Sequence, residues 1–387
     1  MKFILVCLLL CASSHGLAEN TTTTIETIQV LPEGFEKPIE YKVTLPQNYA
    51  TDLDKEYFVL FDLHPKSQMY ISGMHDWLSH NGEWPWLETI IVTPADYHEE
   101  FASTFTRLVN DPKDQSILDV IEKGVLRTVD EKYRTNGYKI YNGFMGNGAL
   151  GLYVLLNRPT MFNAYLIASP ALAGDFGNVI LDAPEKLTLS NKQSTFLYMA
   201  IGNHGYERSH VLPFKQFEQE LQNLPKGKLQ WTTNNSEHHA YMSRPVITLL
   251  NGIEALFDDI HNDLSPDSDI SKQGPDAIIR YYETLSKEKY GFTVSAEGSL
   301  KALAKSLVEQ NPKAAIEIYE RVTQRYPNSA YAYASLAKAY ADQGEIHKAI
   351  QIQQIAVEKS KSMVQWHQNK HQQYLDEFKA MLDNSSK

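Results

Sequence analysis

The sequence predicts an α/β unit with a mostly parallel sheet and helices on both faces, followed by an all-α helical-repeat region. Three observations carry that reading. From about residue 24 to residue 257, short β-branched and aromatic runs alternate with helical stretches, the pattern of a sheet covered on both sides. Residues 261–275 are rich in Asp, Ser, Pro and Gly, as linkers are. Beyond them the chain is almost wholly helical in character and repeats itself at an offset of 34 residues.

Taken in order, residues 39–45 (IEYKVTL) alternate as a half-buried strand and stop at Pro46. Residues 57–61 and 89–93 are continuous apolar runs, the signature of strands buried on both faces. Residues 117–133 are amphipathic at helical spacing, with Leu118, Ile121, Val125 and Val129 on one face. A strand at 139–142, a glycine turn, a helix at 149–156 and strands at 164–168 and 195–201 follow, then a helix at 211–224. In the C-terminal part, Ala315-Ile316 recurs as Ala349-Ile350, Ile318 as Ile352 and Val322 as Ala356. With Tyr333, Leu336, Tyr340 and Gly344 this fits the small/large pattern of a tetratricopeptide repeat. So short a stack buries little core of its own and is expected to lean on the first domain or on a partner.

Composition narrows the function classes. The 387 residues are 43% hydrophobic and 21% charged, which excludes a disordered chain and a multi-span membrane protein. Acidic residues outnumber basic ones, 47 to 36, for a net charge of −11, so nucleic acid is not an expected partner. Lys2, an apolar stretch over residues 3–13 and Gly16-Leu17-Ala18 have the layout of a signal peptide, and the apolar stretch is too short for a bilayer core of about 30 Å. Leu10 stands before Cys11 where a lipid-anchor signal asks for a small residue. Cleavage after Ala18 removes Cys7 and Cys11, the only cysteines, and leaves a chain needing no disulfide in an oxidising compartment. The expected organisation is a signal peptide at 1–18, an α/β domain at 19–262, a linker at 263–275 and a helical region at 276–387. The expected location is periplasmic or secreted, with no membrane span.

The informative stretch is 141–151, YNGFMGNGALG, between a strand and a helix. Gly146, Gly148 and Gly151 fit a dinucleotide fingerprint, but the next strand ends at Ser169-Pro170 where an acidic ribose ligand is required, so no cofactor is expected. The same stretch, read from Gly143 to Asn147, fits the G-x-S-x-G turn that presents a nucleophilic serine. Its surroundings are Val43-Thr-Leu-Pro46 with Tyr49, Leu60-Phe-Asp-Leu63, Arg134-Thr-Asn-Gly137, Arg158-Pro159, Phe162 to Pro170, and Asn251-Gly252-Ile253 with Leu256-Phe257. In these the chain resembles a bacterial esterase family that includes siderophore-ester hydrolases of the enterobactin-esterase type, over about residues 29–257. The resemblance implies an α/β-hydrolase fold, carboxylic-ester hydrolysis by a Ser-His-acid triad, and in some members a C-terminal region with tetratricopeptide-like repeats.

At the implied triad positions the chain departs from the family. Met145 occupies the serine position, and a thioether has no proton to lose and forms no acyl-enzyme. Asn147 replaces the last glycine of the turn, where its tolerance of left-handed backbone would preserve the bend. Ungapped counting from Gly252 puts Tyr241 at the histidine position, and His239 reaches it only with a two-residue slip. Glu207 is the carboxylate at the acid position. Ser169 and Ser243 lack the strand-turn-helix setting of an activated nucleophile, and the spacing of His204, His210, His238 and His239 matches no zinc pattern, so no metal is expected. Met145, Gly146, Asp62, Trp84 and Trp86 are the candidate binding residues, the two tryptophans read either as packing or as a lip over the pocket. The leading expectation is a catalytically degenerate binding module taking a small acyl or ester-like ligand in the pocket, or a protein or peptide along the repeat. The alternatives are an active esterase with a non-standard site, and a scaffold whose repeat region carries the function.

Overall fold

The computed structural model describes residues 23–79, 85–189, 195–225, 229–235 and 238–385. The signal-peptide expectation, with Cys7 and Cys11, lies outside them, as does Trp84. Eight strands form one sheet: β1 (Thr24–Val30), β2 (Ile39–Leu45), β3 (Tyr57–Asp62), β4 (Thr89–Pro94), β5 (Thr135–Phe144), β6 (Ala164–Ala168), β7 (Phe196–Ile201) and β8 (Gln230–Asn235). Their order is β1-β2-β4-β3-β5-β6-β7-β8; β1 and β2 pair antiparallel, β2 runs antiparallel to β4, and the remaining pairs are parallel. Every residue of β3, β4, β6 and β7 is buried, which is why those segments read as unbroken apolar runs.

Alternate residues of the same strands serve two cores. Val59 and Phe61 of β3 face one layer with α2 (Glu99–Asn110), α5 (Gly146–Asn157), α6 (Val179–Leu189) and α7 (Arg208–Gln222). That layer also receives the 116–132 helix: α3 (Ser116–Asp119), a π-helical stretch Val120–Leu126, and α4 (Arg127–Lys132). Phe58 and Leu60 face the other layer, with α1 (Ser67–Ser79) and α8 (Arg244–His261).

The second core does not end with α8. It continues into α9 (Pro275–Thr284), α10 (Glu297–Leu307), α11 (Pro312–Arg325) and α12 (Ala330–Asp342) through Ile278, Tyr282, Leu300, Ile318 and Leu336. The Phe58 ring meets Phe257 and Phe292 edge-on, each at 5.3 Å, and Tyr138 stacks on Tyr290 at 5.8 Å. Lys289 Nζ and Tyr290 Oη both donate to the Leu256 carbonyl at 3.0 Å and both bond Asp259. The 263–275 segment, expected as a linker, packs on this shared core. Leu264 N donates to Ser299 Oγ at 2.8 Å, Ser271 is buried, and Leu264 and Ile270 pack on the shared core. Its serines and glycine make turns rather than slack, as in the Ser268 Oγ to Ser271 Oγ bond of 2.9 Å.

Helices α13 (Ile346–Lys359) and α14 (Gln365–Ser385) complete the chain. The short connections have conventional ends: Asn311 caps α11 through Ala314 N, Ser329 caps α12 through Ala332 N, and Gly344 takes a positive φ before α13. No helix among the described residues is long and apolar enough to cross a membrane.

Candidate functional site

The carboxyl ends of β3, β5, β6 and β7 lie side by side, with Asp62 opposite Asn142, Phe144 opposite Ala168, and Ala168 opposite Ala200. Ligand sites of open parallel sheets sit at such ends. Met145 alone separates β5 from α5 and holds φ 53°, ψ −117°, a backbone conformation that costs a non-glycine residue on the order of 1–3 kcal/mol. The surroundings fix it there: Met145 N donates to Ala168 O at 3.1 Å, and its carbonyl accepts from Ala149 N at 2.9 Å and Ala171 N at 3.0 Å. Gly143 is required by the sharpness of the turn, because a Cβ there would stand 2.7 Å from Asn147 O. The left-handed backbone expected at Asn147 is not found: Asn147 lies inside α5, and Met145 takes the strained conformation instead.

A cavity of about 600 Å³ opens beside this turn. Phe101, Phe105, Phe144, Met145 and Tyr241 give it an apolar wall, His64, Asp96, His98 and Asn147 are among its polar groups, and Gly146 also lines it. Tyr241 meets Phe144 in a tilted contact at 5.2 Å and stacks on His204 at 5.6 Å, and Tyr206 lies 5.4 Å away, so an aromatic row runs back from the cavity wall at Phe144 and Tyr241. Burial first, then the nearby Glu207 charge, push the Tyr241 phenol up, and it stays protonated. A larger groove of about 730 Å³ lies away from the strand ends, between the 31–35 loop and α2. Its cations are all paired, Arg107 with Asp114, Lys123 with Asp119 and Arg127 with Glu131, so it offers no free cation to a ligand.

Glu207 is fully buried and fully bonded. Oε1 accepts from Ser169 Oγ at 2.5 Å, Gly202 N at 3.1 Å and Arg244 Nε at 2.9 Å; Oε2 accepts from His204 N and Arg244 Nη2, both at 3.1 Å. Burial alone would raise its pKa, but the Ser169 hydroxyl, Arg244 and the His204 N–H outweigh it and hold the carboxyl below its ordinary value. His239 is exposed and joins this network through its backbone carbonyl, which accepts from Arg244 Nη2 at 3.2 Å, and not through its ring. Arg244, the residue that engages the acid, was not among the sequence candidates. A pointer to it was present in Gly202: a Cβ there would fall 1.8 Å from Arg244 Nη2.

The remaining candidates lie apart from the cavity. Asp62 is buried, Oδ1 accepting from His64 N at 2.6 Å and Ser67 Oγ at 2.9 Å, and Oδ2 from Asn142 Nδ2 at 2.5 Å. Burial raises its pKa against those three hydrogen bonds. It shapes the loop that brings His64 to the wall and does not itself line the cavity. Of the two readings for Trp86, the structure gives packing and not a lip or binding role: it is fully buried in the second core, edge-on to His75 at 5.3 Å with Nε1 donating to Thr89 Oγ1 at 3.2 Å. No cluster of three or more metal-ligating side chains occurs among the described residues.

No protein-family model and no curated protein matches the chain. Solved structures do. An IroE-like serine hydrolase from Shewanella oneidensis superposes with a TM-score of 0.58 at 22% identity, over 78% of this chain and 100% of its own. An uncharacterised protein from Capnocytophaga ochracea superposes with 0.65 at 15% identity, over 92% of this chain and 100% of its own, a span that takes in helices beyond the sheet. The BES protein from Bacillus cereus gives 0.52 at 18% identity, over 60% and 94% of the two chains. With the strand order and the strained turn between β5 and α5, these likenesses show that the chain has the α/β-hydrolase fold, continued by a helical region packed on the same core.

Proposed function

We propose that this protein is an exported, catalytically degenerate member of the esterase-type α/β-hydrolases that binds a small acyl or ester-like ligand in the cavity beside Met145. The observation that carries the reading is the thioether at the tip of the turn, where this fold's serine hydrolases present an oxygen nucleophile. Two features support it. The carboxylate at the acid position is engaged by Arg244, and the cavity has Tyr241 where a base would stand. Rings and a flexible thioether suit an apolar acyl or aryl group, and His64 and His98 offer hydrogen bonds to a carbonyl. Helices α11 to α13 are read as tetratricopeptide-like repeats, and residues 1–18 as the export signal.

The test uses p-nitrophenyl butyrate as probe. Saturable quenching of protein fluorescence that is lost in Met145→Arg, with no p-nitrophenolate released above the uncatalysed background, is the expected result. A burst of p-nitrophenolate equal to the protein concentration would overturn it.

A further inference from the structure

Helix α14 is docked through an unusual group. His371 is fully buried, and neither of its ring nitrogens has a hydrogen-bond partner among the described residues. A neutral imidazole carries one N–H donor and one acceptor, and each buried and unmet costs on the order of 1–3 kcal/mol. From α12, the Tyr331 ring lies 4.9 Å from the imidazole and its hydroxyl bonds His367 Nδ1, one turn earlier on α14. From α13, Gln353 donates to the His371 carbonyl at 2.8 Å, and its own Oε1 is buried without a partner.

The charges around the ring are unfavourable to a proton. Burial first, then His367 and Lys370, hold the imidazole below its ordinary value. From α10, Lys301 sits 5.8 Å from the centre of the Tyr331 ring. The nearest downstream carboxylates of α14, Asp376 and Glu377, are bonded to Gln372 and Gln373. Burial first holds the Tyr331 phenol above its ordinary value.

We infer that His371 makes the docking of α14 acid-labile: the ring accepts a proton only after leaving its site, so acidification releases this helix while the sheet stays folded. Release can be local because, among the described side chains of α14, only His371, Leu375 and Phe378 are buried. It would also open the cavity of about 320 Å³ between α12 and α14, to whose wall α14 contributes Tyr374, Glu377, Phe378 and Met381. The direction follows from linkage. Docking is complete above the ordinary histidine value of about 6.5 and weakens as pH falls below it, by about tenfold in the opening equilibrium between pH 7.5 and 5.5.

Hydrogen exchange of the full chain, read by mass spectrometry at pH 7.5 and 5.5 with intrinsic rates corrected, tests this. The protein used carries His75→Gln, so that the buried His75 of α1 adds no acid response of its own to the sheet; peptides of α14 are then expected to open about tenfold more at the lower pH, while β5 and β6 change little. His371→Gln, which keeps a polar side chain of similar size and does not titrate, removes that rise; His367→Gln keeps it. Should His371→Gln release α14 at both pH values, His371→Phe fills the site and gives the same comparison. The inference is overturned by α14 protection that ignores pH, by a rise that persists in the His371 variants, or by an equal rise in β5 and β6.

Discussion

Arg244 and Glu207 form a two-point ion pair with almost no solvent contact, Nε to Oε1 at 2.9 Å and Nη2 to Oε2 at 3.1 Å, with 1% and 0% of the two side chains exposed. In an active triad the carboxylate orients a histidine, the role that the resemblance would assign to Glu207. Here its oxygens are filled by a guanidinium, a hydroxyl and two backbone N–H groups. Breaking a buried pair by removing one partner leaves an uncompensated charge. Arg244→Met is therefore expected to cost about 3–5 kcal/mol in urea unfolding. A loss under about 1 kcal/mol would show that the pair is not stabilised as described.

Gly202 is the counterpart of that pair. Alanine there places a methyl group 1.8 Å from Arg244 Nη2, so either the guanidinium or β7 must shift. Gly202→Ala is expected to destabilise strongly in the wild-type background and much less when Arg244→Met is already present. A double-mutant cycle by urea unfolding measures this, and additive effects would count against the contact.

The fold was legible where burial is two-sided. β3, β4, β6 and β7 are wholly buried, and their apolar runs announce them. β8 was not, because Gln230, Thr232, Thr233 and Asn234 form a polar edge strand whose pairing with β7 is backbone-driven. The turn at Met145 was legible in its glycines, but not which residue would bear the strain: backbone closure through Ala168, Ala149 and Ala171 decides that. Glu207 was named from its place after β7, whereas its partner Arg244 was missed because it lies 37 residues away in the chain and a lone arginine opening a helix carries no signature. The 263–275 stretch misled because turn-forming residues have the same composition whether the segment is loose or packed.

The shared second core makes the helical region structural for the sheet. A chain ending at residue 262 would expose Phe58, Tyr138 and Phe257, which now pack against Tyr290 and Phe292. Such a truncated protein is expected to aggregate or to unfold well below the full chain in a thermal melt. A soluble fragment with the full chain's melting temperature would instead make the two parts independent.

His75 gives the sheet domain its own pH dependence. It is buried with Nε2 accepting from Thr89 N at 2.9 Å, and burial, against Asp76 and the Leu87 backbone, lowers its pKa to about 4. The folded value lies below the unfolded one, so the stabilisation is complete above about pH 6.5 and is lost as pH falls toward 4, worth about 3 kcal/mol over that range. In urea midpoints between pH 7 and 4.5, the wild type should fall more steeply than His75→Gln, whose side-chain oxygen can keep the Thr89 bond. Parallel curves would remove His75 from the acid response.

The strain at Met145 has a direct readout. Glycine adopts φ 53° without penalty, so Met145→Gly should be at least as stable as Met145→Ala in urea unfolding. A Met145→Gly variant less stable by about 1 kcal/mol or more would mean the turn is not strained.

The central claim, that the site binds without forming an acyl-enzyme, is tested most directly by intact-mass spectrometry after exposure to a fluorophosphonate. The account expects no adduct on the wild type, and none on Met145→Ser with Tyr241→His, because Arg244 still occupies the acid that would orient the new histidine. A single stoichiometric adduct on a serine of the wild-type protein would contradict it.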